Sequence, residues 1–141
     1  MPHFRGLAQA HLEALVREPG VRGALLVSRD GLPVLTAGRI GEASMLSAMS
    51  ATMLGAAEIA MAGSSPVRLR VNANGLRVHA VPATRDTLLI MVGDSAFDAE
   101  SQAHLATAAA DALAAATTRT LPRPQNAREN WVQEPPSRPA S

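Results

Sequence analysis

Few residues in this chain have the type and spacing that catalysis or metal binding requires. The four histidines are scattered along the sequence: His3, His11, His79 and His104. They show no metal-ligand spacing, and the chain contains no cysteine that could complete a zinc site. Asp94, Asp98 and Glu100 cluster before a predicted helix, where negative charge complements the helix dipole. The helix dipole explains this acidic cluster better than catalysis does.

Catalytic motifs are also absent from the sequence. No glycine-rich phosphate loop, dinucleotide fingerprint or nucleophile elbow follows a predicted strand. His11 lies beside an apolar helical stripe, as a residue at the core rim does, and His79 falls on the outward face of a predicted strand. We therefore predict that the protein is not an enzyme and has no catalytic residues, metal ligands or cofactor. An enzyme would need a site that these motifs do not describe.

The charge balance argues against nucleic acid as a partner. The chain has a formal net charge of +1, and its 13 basic residues are all arginine. Residues 1–120 contain ten arginines and ten acidic residues, so the predicted folded part is neutral. A nucleic-acid-binding domain would carry an excess of basic residues on one face.

The segment 42–62, EASMLSAMSATMLGAAEIAMA, is the most informative part of the chain. It carries two charged residues, Glu42 and Glu58, and four of the six methionines. On a helical wheel, the methionines fill a broad apolar arc and small residues fill the opposite arc. A helix that is apolar or small all round needs cover on two sides, and its own sheet can cover only one. We therefore predict an obligate dimer in which the small-residue arc meets a second chain: Ala48, Ala51, Thr52, Gly55 and Ile59.

Residues 43–62 also reach the minimum length of a membrane span. Serine, threonine and glutamate interrupt this stretch, and no aromatic or basic anchors flank it. The amphipathic N-terminus lacks the long apolar run of a secretory signal. We predict a cytoplasmic protein without direct membrane insertion.

Periodicity and turn residues predict an α+β fold of order α-β-β-α-β-β-β-α. The predicted helices are 3–17, 42–62 and 97–118, and the predicted strands are 21–29, 32–37, 67–72, 76–81 and 87–92. The dipeptides Asp30-Gly31 and Asn74-Gly75 are typical of hairpin turns. Strand 87–92 has no polar face after its threonine, so we expect it to be central and covered on both faces. The result is a five-stranded antiparallel sheet with helices on both faces.

The composition changes after residue 120. Five of the ten prolines lie in residues 121–141, and no apolar period remains. We predict one domain over residues 1–120 and a disordered, proline-rich C-terminal tail over 121–141. Trp131 is the one candidate anchor in that tail.

Strand 67–72 alternates strictly between apolar and polar residues. Arg68 and Arg70 share one face of it with Asn72. Charged residues on a strand commonly mark a solvated edge and guard it against indiscriminate pairing. A polar contact with a partner protein is the functional alternative.

The ordered series of segments resembles the roadblock family, the dynein light chain type. GVRGALLVSRDGLPVLTAG, residues 20–38, resembles the first hairpin of that family. AMSATMLGAAEIA, residues 48–60, resembles its long middle helix. VRLRVNANGLRVHAVPATRDTLLIMVGD, residues 67–94, resembles its closing meander. The resemblance covers about residues 5–118 and implies a sandwich of the roadblock and profilin type.

The resemblance implies a homodimer in which the third strands of two sheets join and the middle helices pack across a twofold axis. Val67, Leu69 and Val71 would then belong to the dimer interface. Bacterial relatives are often paired with a Ras-like small GTPase in gliding-motility and polarity systems. The resemblance therefore implies a non-enzymatic homodimeric regulator or scaffold for such a GTPase. The candidate contacts with the partner are Glu42, Ser47, Glu58, Arg68 and Arg70.

Two other functions stay open at this point. A structural adaptor in a motility or sensory complex would need the dimer but no GTPase. A ligand-binding sensor would need polar groups that converge on a pocket, and the lack of such groups in the sequence argues against it.

Overall fold

The structure is a computed structural model that describes residues 2–62, 67–73 and 75–120. The predicted tail 121–141, including Trp131, and Asn74 of the second predicted turn lie outside the described residues. The element order along the described part is α1 (Pro2–Val16), β1 (Val21–Ser28), β2 (Pro33–Gly38), α2 (Ala43–Ala60), β3 (Leu69–Ala73), β4 (Leu76–Thr84), β5 (Thr87–Asp94) and α3 (Ala99–Thr120). This order confirms the predicted α-β-β-α-β-β-β-α arrangement.

The five strands form one sheet of order β2-β1-β5-β4-β3, and all its pairings are antiparallel. β5 lies at the centre, as its unbroken apolar run predicts, and Leu88 to Val92 are buried. β2 and β3 lie at the two edges of the sheet. β3 begins at Leu69, so Val67 and Arg68 precede the strand instead of belonging to it.

Helices α1 and α3 cover one face of the sheet. Their leucines Leu12 and Leu113 pack with Leu26, Leu89 and Met91 of the sheet in the larger core cluster. The buried alanines of α3 have short side chains, which lets this helix lie close to the strands. Each fully buried leucine contributes about 2 kcal/mol of hydrophobic free energy.

Among the described elements, only helix α2 lies on the other face of the sheet. Its Leu46 and Ala43 pack against Leu25 and Ile90. Its Leu54 forms a separate small cluster with Val67 and Leu88. The β1–β2 turn contains Gly31 at φ +89°, the left-handed conformation that the Asp-Gly signal predicts. α2 passes close over this turn, because a Cβ added to Gly31 would lie 3.1 Å from Cα of Ala48.

Candidate interaction surface

Helix α2 contacts its own sheet through a narrow face. Ser47, Ser50 and Leu54 are its buried residues, and they make up 17% of the 18-residue helix. By length and composition α2 could cross a membrane. One such helix is only weak evidence of a membrane protein, because core helices pass the same test. An apolar helix with so little burial leaves most of its surface to another partner.

The outward face of α2 consists of large apolar side chains, and we call it the methionine face: Met45, Met49, Met53 and Ile59. Met45 is 60% exposed, Met49 is 53% exposed and Ile59 is 81% exposed. Monomeric proteins rarely leave such side chains together in water, because burying each one is worth about 2 kcal/mol. The methionine face is therefore the clearest candidate surface for contact with another chain.

Both arcs of α2 contribute exposed residues. In the small-residue arc predicted to meet a second chain, Thr52 and Ile59 are exposed, whereas Ala51 is half-buried against the core cluster of Leu54 and Leu88. Ala48, although exposed, lies toward the β1–β2 turn. The small residues that do face the sheet are Ser47 and Ser50, which are buried together with Leu54. The methionines then point outward.

The other residues predicted at the dimer interface differ in their exposure. Thr52 and Ile59 are exposed, and Gly55 is half-buried with no atom within 4 Å of an added Cβ. Val67 is buried in the chain's own core. Leu69 and Val71 of β3 are half-buried. The exposed members of this set lie on or beside the methionine face.

A trough of about 510 Å³ continues the methionine face toward β4. Met45 and Met49 of α2 border it on one side, and Leu76 and Val78 of β4 line it on the other. α2 does not cover this part of the sheet. Helix and strand residues thus present one apolar surface that extends toward the β3 side of the molecule.

The two edges of the sheet differ in their accessibility. At β2, the Gln9 Nε2 of α1 donates a hydrogen bond of 3.0 Å to the Thr36 carbonyl oxygen, and α1 packs along the strand. At β3, β4 pairs along one side, and no described strand lies along the other. An unpaired strand edge is a template for pairing with another chain.

The polar partner-binding candidates on α2 do not form one group. Glu42 is exposed at the N-terminus of the helix and makes no capping hydrogen bond. Glu58 forms an ion pair of 2.8 Å with Arg29. Ser47 is fully buried against the sheet, and its Oγ has no hydrogen-bond partner among the described residues. A buried hydroxyl cannot contact a partner, so the prediction that Ser47 binds the partner was wrong.

Arg68 and Arg70 line a cavity with residues of α3, on the face of the sheet opposite α2. Arg70 forms a 3.4 Å ion pair with Glu100 of α3. The alternating sequence pattern predicted that these arginines lie on the polar face of the strand, and the structure places them there. They cannot share one flat surface with Glu42 and Glu58, because the sheet lies between them.

A buried polar pair beside that cavity was missed at the sequence level. His79 is 3% exposed, and its Nε2 lies 3.3 Å from Oε1 of Gln102. Burial lowers the pKa of His79 below 6.5, the hydrogen bond to Gln102 acts in the opposite direction, and the charges of Arg70 and Arg77 lower it further. The expectation that His79 faces outward was wrong, because α3 covers that face of the sheet. Strand alternation alone does not reveal which face a later helix covers.

No group of three or more histidine, aspartate or glutamate side chains within the described ranges could hold a metal ion. The geometry instead offers an apolar helix face, an open strand edge and a small basic cavity. The first two are features of a protein that assembles with other chains.

Comparison with solved structures defines the class of fold. Profilin of Schizosaccharomyces pombe matches with a TM-score of 0.57 and 16% identity over 74% of this chain and 94% of that one. The gliding protein MglB of Thermus thermophilus matches with a TM-score of 0.73 and 20% identity over 83% of this chain and 93% of that one. An MglB with a tetrameric arrangement matches with a TM-score of 0.71 and 23% identity over 85% and 93%. The chain is thus an α+β sandwich of the type shared by these proteins.

The sequence assigns the family within that class. A profile of the Roadblock/LC7 domain matches residues 7–91, more than half of the chain. The protein belongs to the Roadblock/LC7 family, as the resemblance of its hairpin, middle helix and meander implied. No curated protein sequence matches the chain.

Proposed function

We propose that this protein is a non-enzymatic homodimeric regulator or scaffold that binds a Ras-like small GTPase. The observation that carries the proposal is the methionine face of α2, an apolar surface on a helix whose burial is limited to 17% of its residues. Such a surface is costly in water and is explained by a permanent protein partner.

In the proposed homodimer, a second copy covers part of the methionine face and pairs with the β3 edge. Obligate interfaces typically bury about 2,000 Å² or more in total, which a helix face together with a strand edge can supply. Leu69 and Val71 lie at that edge, and Met49, Thr52 and Gly55 lie on or beside the exposed side of α2. The tetrameric arrangement of one MglB supports self-association as a property of proteins with this fold.

The GTPase part of the proposal rests on the family, since the resemblance implies bacterial relatives paired with Ras-like GTPases. The paired α2 helices would form the docking surface, with Glu42 and Met45 exposed at its rim. A regulator can bias a two-state switch only through a difference in affinity between the two states. We therefore expect the dimer to bind the GTP and GDP forms with different affinities.

The test is a calorimetric titration of the protein against each small GTPase of its source organism, loaded with a GTP analogue or with GDP. The proposal expects binding to at least one GTPase, with different affinities for the two forms. Glu42→Arg should weaken that binding, whereas Glu13→Arg, an exposed substitution on α1, should not. Absent or equal binding in every titration would favour a structural adaptor without a GTPase partner.

A further inference from the structure

A cavity of about 300 Å³ opens between β3, β4 and α3, on the face of the sheet opposite the methionine face. Arg68 and Arg70 line one side of it, and His79 of β4 lies beside them. Ala103 and Ala106 of α3 form the opposite wall. The cavity exists because α3 presents only methyl groups there, so the helix does not fill the space above the strand edge.

Both arginines in this cavity have hydrogen-bond donors to spare. Within the described part of the chain, Arg68 makes no hydrogen bond or ion pair. Arg70 has one acceptor, Oε1 of Glu100, at 3.4 Å, and the Glu100 side chain is 74% exposed. Such an exposed ion pair contributes little and is readily exchanged for another anion.

We propose that this cavity binds a small oxyanion, a phosphate or a carboxylate group carried on a compact apolar body. The planar guanidinium group matches both kinds of oxyanion through two parallel hydrogen bonds. The alanine wall and Val81 provide an apolar surface for the body of the ligand. The volume exceeds what a bare phosphate needs and lies at the small end of ligand pockets, which start at about 300 Å³.

His79 completes the site without adding charge. Burial lowers the pKa of its imidazole, which disfavours the charged form. The hydrogen bond between Gln102 and Nε2 fixes the ring beside the two arginines. Arg68, Arg70 and His79 thus line one cavity, as a ligand-binding sensor would require.

The site goes beyond the proposed regulator function and does not depend on a GTPase. It can therefore be tested on the protein alone, by calorimetric titration with inorganic phosphate, phenyl phosphate and benzoate at low ionic strength. We expect saturable binding with one site per chain, and tighter binding of phenyl phosphate than of inorganic phosphate. Arg68→Gln and Arg70→Gln should each weaken binding about tenfold or more, since each removes charge-assisted hydrogen bonds to the oxyanion.

Two further variants separate a site from general charge attraction. Glu100→Gln removes the carboxylate that competes for Arg70 and should tighten binding. Arg22→Gln, an exposed substitution on β1 outside the cavity, should leave affinity unchanged. Thermal unfolding of each variant verifies that it is folded.

Two results would overturn the oxyanion site. One is the absence of saturable binding of all three probes at about 10 mM, well above the Kd of about 1 mM that marks a weak site. The other is an equal loss of affinity in Arg22→Gln and in the cavity variants. Either result leaves the proposed GTPase regulator standing, because its test uses a different ligand and a different face of the sheet.

Discussion

Arg29 and Glu58 form an ion pair, with Nη1 2.8 Å from Oε1, that joins the β1–β2 turn to the C-terminal half of α2. Few side chains of this helix are buried in the sheet, so the pair helps to set its rotation about its own axis. That rotation places Ser47, Ser50 and Leu54 against the sheet and turns the methionines outward. The two side chains are 37% and 33% exposed, so solvent screens their attraction.

Replacing this ion pair should have a small effect on stability. We expect a coupling energy of at most about 1 kcal/mol between Arg29→Gln and Glu58→Gln, the usual range for partly exposed pairs. A double-mutant cycle by urea unfolding measures it. A coupling of several kcal/mol would mean that α2 depends on this pair more than on its packing against the sheet.

Gly93 should not tolerate a side chain, because a Cβ there would overlap the side-chain amide of Gln102. Gln102 also donates a 2.9 Å hydrogen bond to the Asp94 carbonyl oxygen, so its displacement would leave buried polar groups unpaired. We expect Gly93→Ala to lower the free energy of unfolding by about 1–3 kcal/mol. Gly6→Ala is the matched control, since this exposed glycine of α1 has nothing within 4 Å of an added Cβ and alanine favours a helix by about 1 kcal/mol. Equal stability of the two variants would contradict the role of Gln102.

The buried His79 predicts a loss of stability in mild acid. Burial lowers the pKa of its imidazole in the folded protein below the value of 6.5 that applies to the unfolded chain. The unfolded chain therefore takes up a proton first as the pH falls. The contribution of His79 is fully present above pH 6.5 and is lost as the pH falls toward the lowered pKa of the folded state. The slope is at most about 1.4 kcal/mol per pH unit.

Urea unfolding at about pH 7.5 and about pH 5.5 checks this prediction, because the two conditions lie on either side of the unfolded-state pKa. His79→Gln should lose less stability than the unaltered protein over that range. Hydrogen bonds from Ser101 lower the pKa of Asp98, so its contribution is lost only below pH 3.8, outside this window. An identical pH dependence of His79→Gln and the unaltered protein would show that His79 is not the group that titrates.

Charged substitutions on α2 should separate the proposed dimer without unfolding the monomer. Met49→Glu places a charge on an exposed position of the methionine face. Gly55→Arg adds a long charged side chain where a Cβ has no neighbour within 4 Å in the single chain. We expect both variants to remain folded and to behave as monomers, because a buried unpaired charge costs several kcal/mol. Leu32→Glu, which alters an exposed leucine in the β1–β2 turn, is the control and should stay dimeric. Size-exclusion chromatography with light scattering measures the masses. If Met49→Glu is still a dimer, the methionine face is not the dimer interface.

The sequence predicted most of the fold because its signals are local. The Asp30-Gly31 turn, the alternation around Arg70 and the unbroken apolar run of β5 each depend on neighbouring residues alone. The rotation of α2 could not be predicted in this way. It depends on the volume of the sheet residues beneath the helix, which favours small residues such as Ser47 at the contact.

The same limit applies to the candidate sites. His79 and Gln102 are 23 residues apart in sequence, and only the packing of α3 on β4 brings them together. The cavity beside Arg68 likewise depends on where the alanines of α3 come to lie. Sequence patterns identify the faces of single elements, whereas sites between elements need the tertiary structure.

The central claim is that this chain works as a pair, joined through α2 and the β3 edge. Sedimentation equilibrium at micromolar concentration tests it most directly, because it gives the mass in solution without reference to shape. We expect a mass of twice the 14.7 kDa of the single chain. A single species of 14.7 kDa across the micromolar range would contradict the claim.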